Sequence, residues 1–400
     1  MKILALNSGS SSIKYRLFDS SKNFQLLSQG LAERIGQKNS SICHIIENQP
    51  PREKEITLPD YHTAMQALFS NENLKEINAV GHRVVHGGEQ FKGPTLINKE
   101  VIKEIKKLSK FAPLHCEPNV IGIEVLQELL PDIPHVAVFD TAAHASMDFK
   151  AFLYGIPLEY YEKYKIRKYG FHGINHSYVA FEAARLLKKQ FEKLKIVTCH
   201  LGSGCSISAF EKGKSIDNSM GLTPLEGLVM GTRCGDLDPS VIIYFIEELG
   251  LSTEEITDLL NRKSGLLGLC GKNDMRDIIT KAKNGDKPSK MAIEIFVYRI
   301  QKYIGAYIAA LNGIDAIVFT GGIGENNPDI RALILKNFSY LNLTVDPKEN
   351  DKNSHIFSTG NSAVFLMTIP ANEEKVIARQ TNQLLTSAIT SSPHHLTSDD

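Results

Sequence analysis

Apolar residues open the chain in two short runs, Ile3-Leu4-Ala5-Leu6 and the alternating Ile13-Lys14-Tyr15-Arg16-Leu17-Phe18, divided by Asn7-Ser8-Gly9-Ser10-Ser11-Ser12. Asn, Ser and Gly accept the tight backbone of a turn, so the pattern predicts a β-hairpin whose tip presents backbone N–H groups, hydroxyls and Lys14. Such a tip suits phosphate, although an ordinary surface hairpin carries the same pattern. Strands over 24–31 and 42–46, separated by the polar stretch 33–41, extend the hairpin into a meander. The apolar run 77–85 ends in His86-Gly87-Gly88-Glu89 and carries Arg83. Helical spacing recurs at 100–110 (Val101, Ile105, Leu108) and 118–130 (Val120, Ile123, Leu126, Leu129, Leu130). Residues 135–139 then read as a buried strand that delivers Asp140 at its end.

The second half repeats the theme. After Tyr169-Gly170-Phe171-His172-Gly173, whose glycines let a ligand approach the backbone closely, a helix is predicted over 177–191. A strand over 195–201 then runs into Gly202-Ser203-Gly204-Cys205-Ser206-Ile207. Asn7, Gly9 and Ser10 fall on His200, Gly202 and Ser203, and a one-residue slip places Ile13 on Ile207. This weak internal repeat is the mark of a duplicated domain. A Gly- and Pro-rich loop at 223–239 carries Arg233. Helices are predicted near 240–248, 253–262 and 289–312, the last with one apolar face (Ile293, Phe296, Val297, Ile300, Ile304, Tyr307, Ile308, Leu311) that needs either core or a partner to cover it. A buried strand over 315–320 leads into Gly321-Gly322-Ile323-Gly324-Glu325-Asn326, with helix signals after Pro328. Strand, glycine turn and helix start make a seat for an anion or nucleotide. A last strand over 364–369, a helix over 373–385 and a Ser/Thr/Pro/His tail over 386–400, expected to be disordered, complete the chain.

Length and composition narrow the reading. Four hundred residues exceed one typical core, so two domains are expected. Basic and acidic residues balance at 45 each, so no global field draws the chain to nucleic acid or to an acidic membrane. The opening apolar run is too short for a signal peptide and no segment approaches a membrane span, so a cytoplasmic location is expected. Six cysteines without a C-x-x-C spacing fit a reducing compartment and argue against zinc, and His172 and His176 lack the Glu of a zinc-protease motif. Gly213-Lys214-Ser215 has no upstream glycine at Ser208, and Gly322-Ile323-Gly324 is not completed at Asn327, so neither a P-loop nor a Rossmann fingerprint is present. Phosphoryl transfer needs cations and donors around the moving group, and Lys14, Arg83, Arg233, His172 and His200 are the candidates. Arg83 paired to a surface carboxylate and His172 as a satisfied core histidine are the plainer alternatives.

Six motifs, in order, carry a family resemblance. They are Asn7-Ser8-Gly9-Ser10-Ser11-Ser12-Ile13-Lys14, Gly81-His82-Arg83-Val84-Val85-His86-Gly87-Gly88-Glu89, Phe139-Asp140-Thr141-Ala142, Tyr169-Gly170-Phe171-His172-Gly173, Gly231-Thr232-Arg233 with Gly235-Asp236-Leu237-Asp238-Pro239, and Gly321-Gly322-Ile323-Gly324-Glu325-Asn326. Over residues 1 to about 380 the chain resembles the acetokinase family of short-chain acyl kinases. The resemblance implies an α/β, duplicated ribonuclease-H-like fold shared with actin-like ATPases and sugar kinases, with two domains around a central cleft that closes by hinge motion. The expected division is 1–146 plus 375–400 against 147–374.

The implied reaction is reversible, Mg2+-dependent transfer of the ATP γ-phosphoryl group to acetate, giving acetyl phosphate and ADP by direct in-line displacement, with Mn2+ as a substitute metal. The implied roles are Asn7 and Glu373 for the metal and Arg83 for the substrate carboxylate. His172, Arg233 and Asp140 would be catalytic. Lys14 and the turn His200, Leu201, Gly202, Ser203, Gly204 would contact phosphates, and Asp274, Met275, Arg276 with Gly321, Gly322, Ile323, Gly324 and Glu325 would seat the nucleoside. Glu374 rivals Glu373 for the metal. Acetate is already ionised at neutral pH, so Asp140 is expected to orient an arginine or a metal-bound water rather than move a proton. A homodimer is implied. Propionate kinase is the alternative within the class, and an actin-like ATP-gated binding protein the alternative outside it. The sequence departs from the family pattern at Leu114-His115-Cys116-Glu117-Pro118, Ile174-Asn175, Ser203 and Cys234, which bear on acyl-chain preference and phosphate geometry. Cys234 would be a reactive thiol if Arg233 lowers its pKa.

Overall fold

The computed structural model describes residues 1–9, 11–46, 49–69, 74–109, 111 and 113–390, with the backbone alone at 113–115 and 388–390. The chain divides into two compact units, Met1–Ala142 with Asn372–Asp400, and Ala143–Ala371.

In the first unit the opening pattern folds as its alternation requires. β1 (Lys2–Ser8) and β2 (Ser12–Asp19) pair antiparallel, Asn7 opposite Lys14 and Ser8 opposite Ile13. The Gly9 N–H bonds the Ser12 carbonyl at 2.8 Å, closing the tip, and the Tyr61 hydroxyl donates to the Gly9 carbonyl. β3 (Gln25–Glu33), β4 (Ser41–Ile46) and the fully exposed, charged β5 (Arg52–Glu55) continue the meander. β6 (Ala79–Val84) lies parallel to β1, and the edge strand β7 (Thr95–Leu96) pairs with β8 (His135–Phe139), which lies parallel to β6. The order is β5-β4-β3-β2-β1-β6-β8-β7.

Successive strand residues face opposite sides. Leu4, Leu6 and Val80 pack with Met65, Leu68, Val125 and Leu126 of the helices Tyr61–Phe69 and Pro113–Leu129. Gly81, one residue on from Val80, faces the C-terminal helix Glu373–Thr390. Pro118 does not start its helix, as the pattern suggested, but sits inside it. The neighbouring Asn119 side chain fixes that segment by donating to the Ser8 carbonyl at 2.7 Å and accepting from the Val85 N–H at 2.9 Å.

The second unit is built on β9 (Ile196–Leu201), β10 (Cys205–Glu211), β11 (Lys214–Asn218), β12 (Ala316–Thr320) and β13 (Phe365–Thr368), ordered β11-β10-β9-β12-β13. An antiparallel meander feeds two parallel strands placed beside its first strand, the arrangement of β3-β2-β1-β6-β8. The repeat read from the hairpins is therefore a repeat of topology. Its register needs one correction: His200 pairs with Ser206 and Leu201 with Cys205, so the second tip is one residue shorter and Ile13 matches Cys205 rather than Ile207.

Other boundaries also shift. Residues 143–146 belong to the second unit because His144 Nδ1 and the Ser146 hydroxyl bond Ser215, at 2.8 Å each. Residues 372–374 belong to the first because Asn372 accepts from Arg16 and Glu374 pairs with Lys14. The helix expected over 177–191 runs Gly173–Leu186, beginning directly after His172. The final helix continues to Thr390, where the Thr386 and Ser387 hydroxyls bond carbonyls one turn back at 2.8 Å, so polar residues read as tail are helical. Residues 391–400 of the expected disordered tail, like Ser10 of the first hairpin, lie outside the described residues. The apolar face of Lys287–Leu311 buries Ala292, Phe296, Ile300, Ile304 and Leu311 within the second unit, so this face is core and not a partner's seat.

A Cβ at Gly81 would lie 2.4 Å from Thr381 Oγ1 and 2.7 Å from Ile377 Cγ2. Gly81→Ala is expected to destabilise the protein by about 1–3 kcal/mol through overpacking, read as a lower urea midpoint with intact secondary structure; an unchanged midpoint would contradict this packing.

Candidate active site

Three parallel neighbours in the first unit, β1, β6 and β8, end at the same edge, and their last residues build a charged cluster. Asp140 follows β8, its N–H bonded to the Val84 carbonyl at 2.9 Å. Its carboxylate, 1% exposed, receives Arg83 Nη2 at 2.5 Å. Arg83 Nη1 donates to Asn7 Oδ1 at 3.2 Å, and Arg83 Nε lies 3.9 Å from Glu373 Oε2. Burial opposes the Arg83 charge, but Asp140 and Glu373 outweigh it and raise its pKa further. Burial likewise raises the pKa of Glu373, against the pull of Arg83. Asp140 and Asn7 each take one of the five N–H protons of a guanidinium and the buried Nε–H faces Glu373, so one proton on each terminal nitrogen is left for an anion. Arg83 is thus held by a buried acid rather than by a surface carboxylate.

Glu373 and Glu374 separate in role. Glu374 is 3% exposed and committed to Lys14 Nζ at 2.8 Å and Arg16 Nη1 at 3.5 Å, so it anchors the helix. Glu373 keeps the looser contact. Asn7 Oδ1 and Glu373 Oε2 are hard oxygen donors of the kind Mg2+ takes, and that ion needs only one or two carboxylates because waters and substrate phosphates fill its other positions. The pair fits Mg2+ on those grounds, although no group of three His, Cys, Asp or Glu able to hold a metal occurs among the described residues.

In the second unit the turn 202–204 after β9 is surrounded by the residues read as phosphate contacts. His172 caps the helix Gly173–Leu186 with left-handed backbone, φ 56°, and its ring stacks on His200 with centroids 4.3 Å apart. Asn175 Nδ2 donates to His200 Nδ1 at 2.8 Å, so His200 carries its proton on Nε2, the nitrogen near Gly202. Asn175, a departure from the family pattern, is therefore what orients His200. A Cβ at Gly204 would lie 3.3 Å from His172 Cε1 and 3.4 Å from Arg233 Nη1, so both side chains border this turn. Arg233 Nη1 donates to the Pro224 carbonyl at 3.2 Å. The loop that carries it is closed by Gly265, φ +62°, whose Cβ would strike the Met230 carbonyl at 2.2 Å. Asp236 fixes the other side of the loop, accepting from the Tyr303 hydroxyl and the Gly227 N–H at 2.8 Å each.

A cavity of about 490 Å3 lies beside this turn. Gly202 and Ser203, Asp274, Met275 and Arg276, and Gly322 and Ile323 line it, which brings together half of the predicted nucleotide set. Asn273, Asn326 and Asn327 also line it and were missed as contacts, since amide side chains near glycines read as turn formers. Asp274 caps the helix Met275–Lys283, and its hydrogen bonds with Arg276 hold its carboxyl at about 2. Gly321, φ +78°, sits so close to β9 that a Cβ would lie 2.7 Å from the Leu201 carbonyl. Leu201 itself is fully buried, and Glu325 braces the Gly321 turn by accepting from the Gly321 and Ala371 N–H groups at 2.8 Å each. Gly324 is buried behind it.

The expectation for Cys234 is overturned: burial raises its thiol pKa, so Arg233 does not activate it. Cys116 is buried and its thiol is pushed up to about 12. The side chains of Leu114 and His115 lie outside the described residues.

A repeated α/β fold whose second unit sets a glycine turn, two ring nitrogens and an arginine beside a polar cavity defines a phosphotransferase. The sequence profile of the Acetokinase family matches residues 2–379, and the chain belongs to that family. Among its relatives, the acetate kinase of Carboxydothermus hydrogenoformans is 48% identical over 396 residues, 96% of this chain and 99% of that protein. The acetate kinase of Halothermothrix orenii is 50% identical over 401 residues, 97% of this chain and 100% of that protein. Among solved structures, a propionate kinase from Francisella tularensis superposes with TM-score 0.91 at 44% identity, covering 96% of this chain and 99% of the other. The Porphyromonas gingivalis acetate kinase does so with TM-score 0.89 at 38% identity, with the same coverages.

Buried histidines set the acid limit of the fold, His135 among them with its pKa lowered by burial. Burial lowers His86 and His144 to about 4 and drives His82 and His176 well below their ordinary value. The unfolded chain binds protons on these rings near pH 6.5 while the folded chain does not, so their stability contribution is full above that pH and is lost as pH falls toward 4. The thermal midpoint is expected to drop by at least ~5 °C between pH 7.5 and pH 5; a flat midpoint over that range would contradict neutral, buried rings.

Proposed function

We propose that this protein transfers the γ-phosphoryl group of ATP reversibly to acetate, forming acetyl phosphate and ADP. The observation that carries the reading is Arg83, fixed at strand ends by Asp140 and Asn7 with N–H donors left for a carboxylate. Acetate is ionised at neutral pH and needs no general base. Orienting Arg83 is accordingly the part assigned to Asp140. On the nucleotide side, the cavity walled by Asp274 to Arg276 and Gly322–Ile323 takes the nucleoside. The turn 202–204 with His200 takes phosphates, and His172 and Arg233 meet the charge that grows on the transferring group. Lys14, now paired with Glu374, is assigned a phosphate contact. Asn7 and Glu373 would hold Mg2+, which supplies charge neutralisation across the phosphate oxygens.

The resemblance to a structure named propionate kinase keeps a second acceptor in view. One methylene in an apolar pocket is worth about 1–3 kcal/mol, so acetate and propionate must be compared directly. Incubation with ATP, Mg2+ and hydroxylamine is expected to yield a hydroxamate only when a carboxylate is added, with kcat/KM higher for acetate. Carboxylate-independent ATP hydrolysis as the sole activity would favour the ATP-gated binding protein instead. Arg233→Ala is expected to lower kcat by about 10²- to 10³-fold with nucleotide affinity changed only a few-fold. Near-normal turnover would refute its role.

For the assembly, we infer a homodimer that covers the helix Pro239–Glu247. None of its residues is buried, yet Ile243 is 53% and Tyr244 56% exposed, with Ile242, Ile246 and Leu249 beside them. So contiguous an apolar surface marks an interface. Ile243→Glu should convert a sedimenting dimer to monomer, and an unchanged dimer would place the interface elsewhere. No helix among the described residues is long and apolar enough to cross a membrane, and a cytoplasmic location is proposed with the reading above.

A further inference from the structure

A chain of side chains runs behind His172, away from the turn it borders. Ser206 Oγ lies 2.9 Å from His172 Nδ1 and 2.6 Å from His176 Nε2. His176 Nδ1 lies 2.7 Å from Thr198 Oγ1, and the Thr198 hydroxyl donates onward to the Ser208 carbonyl at 3.4 Å. Ser206, His176 and Thr198 are fully buried. Each hydroxyl has one proton, and a neutral imidazole one N–H, so the far end of the chain sets the direction of every link. A carbonyl only accepts. With the Thr198 proton directed to Ser208, His176 donates through Nδ1, Ser206 donates to His176 Nε2, and His172 donates to Ser206 through Nδ1. Burial keeps His176 neutral, as this one-proton inventory requires.

We propose that Ser206, held by His176 and Thr198, is a positioning residue that commits Nδ1 of His172 to donation and leaves Nε2 as the nitrogen whose protonation changes with pH and which, when protonated, donates to the transferring group. A Cβ on Gly204 would lie 3.4 Å from that Nε2, so it faces the phosphate turn. The ring is held from its other face by His200 and has Arg233 across Gly204, while His144 stands 6.1 Å from His176. His176 itself is a further titratable neighbour, its ring centroid 6.5 Å from that of His172. In this arrangement neutral His172 cannot donate toward the turn; only the imidazolium can. The inference rests on His172 contacting the transferring phosphoryl group.

Long-range 1H–15N correlation of the intact, 15N-histidine-labelled protein tests the tautomer directly, with His172 assigned by its loss in His172→Gln. The expected neutral form carries its proton on Nδ1; a proton on Nε2 overturns the relay. In Ser206→Ala the Nε2–H tautomer becomes accessible, so kcat at pH 7 should fall roughly 10- to 100-fold while the alkaline limb of the pH–rate profile becomes shallower. Equal loss at every pH, or an unchanged kcat, overturns the positioning role. If that variant fails to fold, the tautomer measured in the unmodified protein still decides. Normal turnover in His172→Gln would overturn the underlying reading of His172 instead, and leaves the tautomer result standing apart from it.

Discussion

The contact on which the first unit's chemistry depends is the ion pair of Arg83 with Asp140. A carboxylate 1% exposed is costly unless a cation meets it in good geometry. Here the cost is offset because β6 and β8 are parallel neighbours, Val84 opposite Phe139, so their ends bring the two side chains together with no loop between. Losing one partner of such a pair typically costs about 3–5 kcal/mol, since the other is left buried and uncompensated. Asp140 therefore fixes the guanidinium without having to move a proton.

The second unit applies the same device around the turn 202–204. β9 ends at His200 and Leu201, and β12 ends beside it at Thr320, with Gly321 next in the chain. Gly321 is required there because the Leu201 carbonyl occupies the space of a side chain. Both units thus place their chemistry at the carboxyl ends of adjacent parallel strands, where ligands bind open α/β sheets. Duplication explains why one topology serves both.

Much of this was legible because apolar runs ending in Gly, Asn or a charged residue announce strand ends. The strand at His135–Phe139 and the delivery of Asp140 follow from five apolar or buried positions in a row. What stayed hidden depended on partners distant in sequence. The unit boundaries turn on His144 meeting Ser215 and Lys14 meeting Glu374, neither of which has a local signal. Cys234 misled because adjacency to Arg233 in the chain says nothing of burial, which dominates its pKa. The one-residue slip in the second hairpin pointed the wrong way because Ile recurs at both positions and only pairing register separates them. The Ser206 chain drew no notice at all, since a serine in a strand carries no sequence cue.

In the proposed reaction Arg83 is the carboxylate's anchor and not merely a structural cation. The most direct measurement is the KM of Arg83→Ala for acetate alongside its KM for ATP. Loss of a charge-assisted anchor, about 2–5 kcal/mol, should raise the acetate KM by at least ~30-fold and leave the ATP KM within a few-fold. An unchanged acetate KM in a folded, ATP-binding variant would contradict the account.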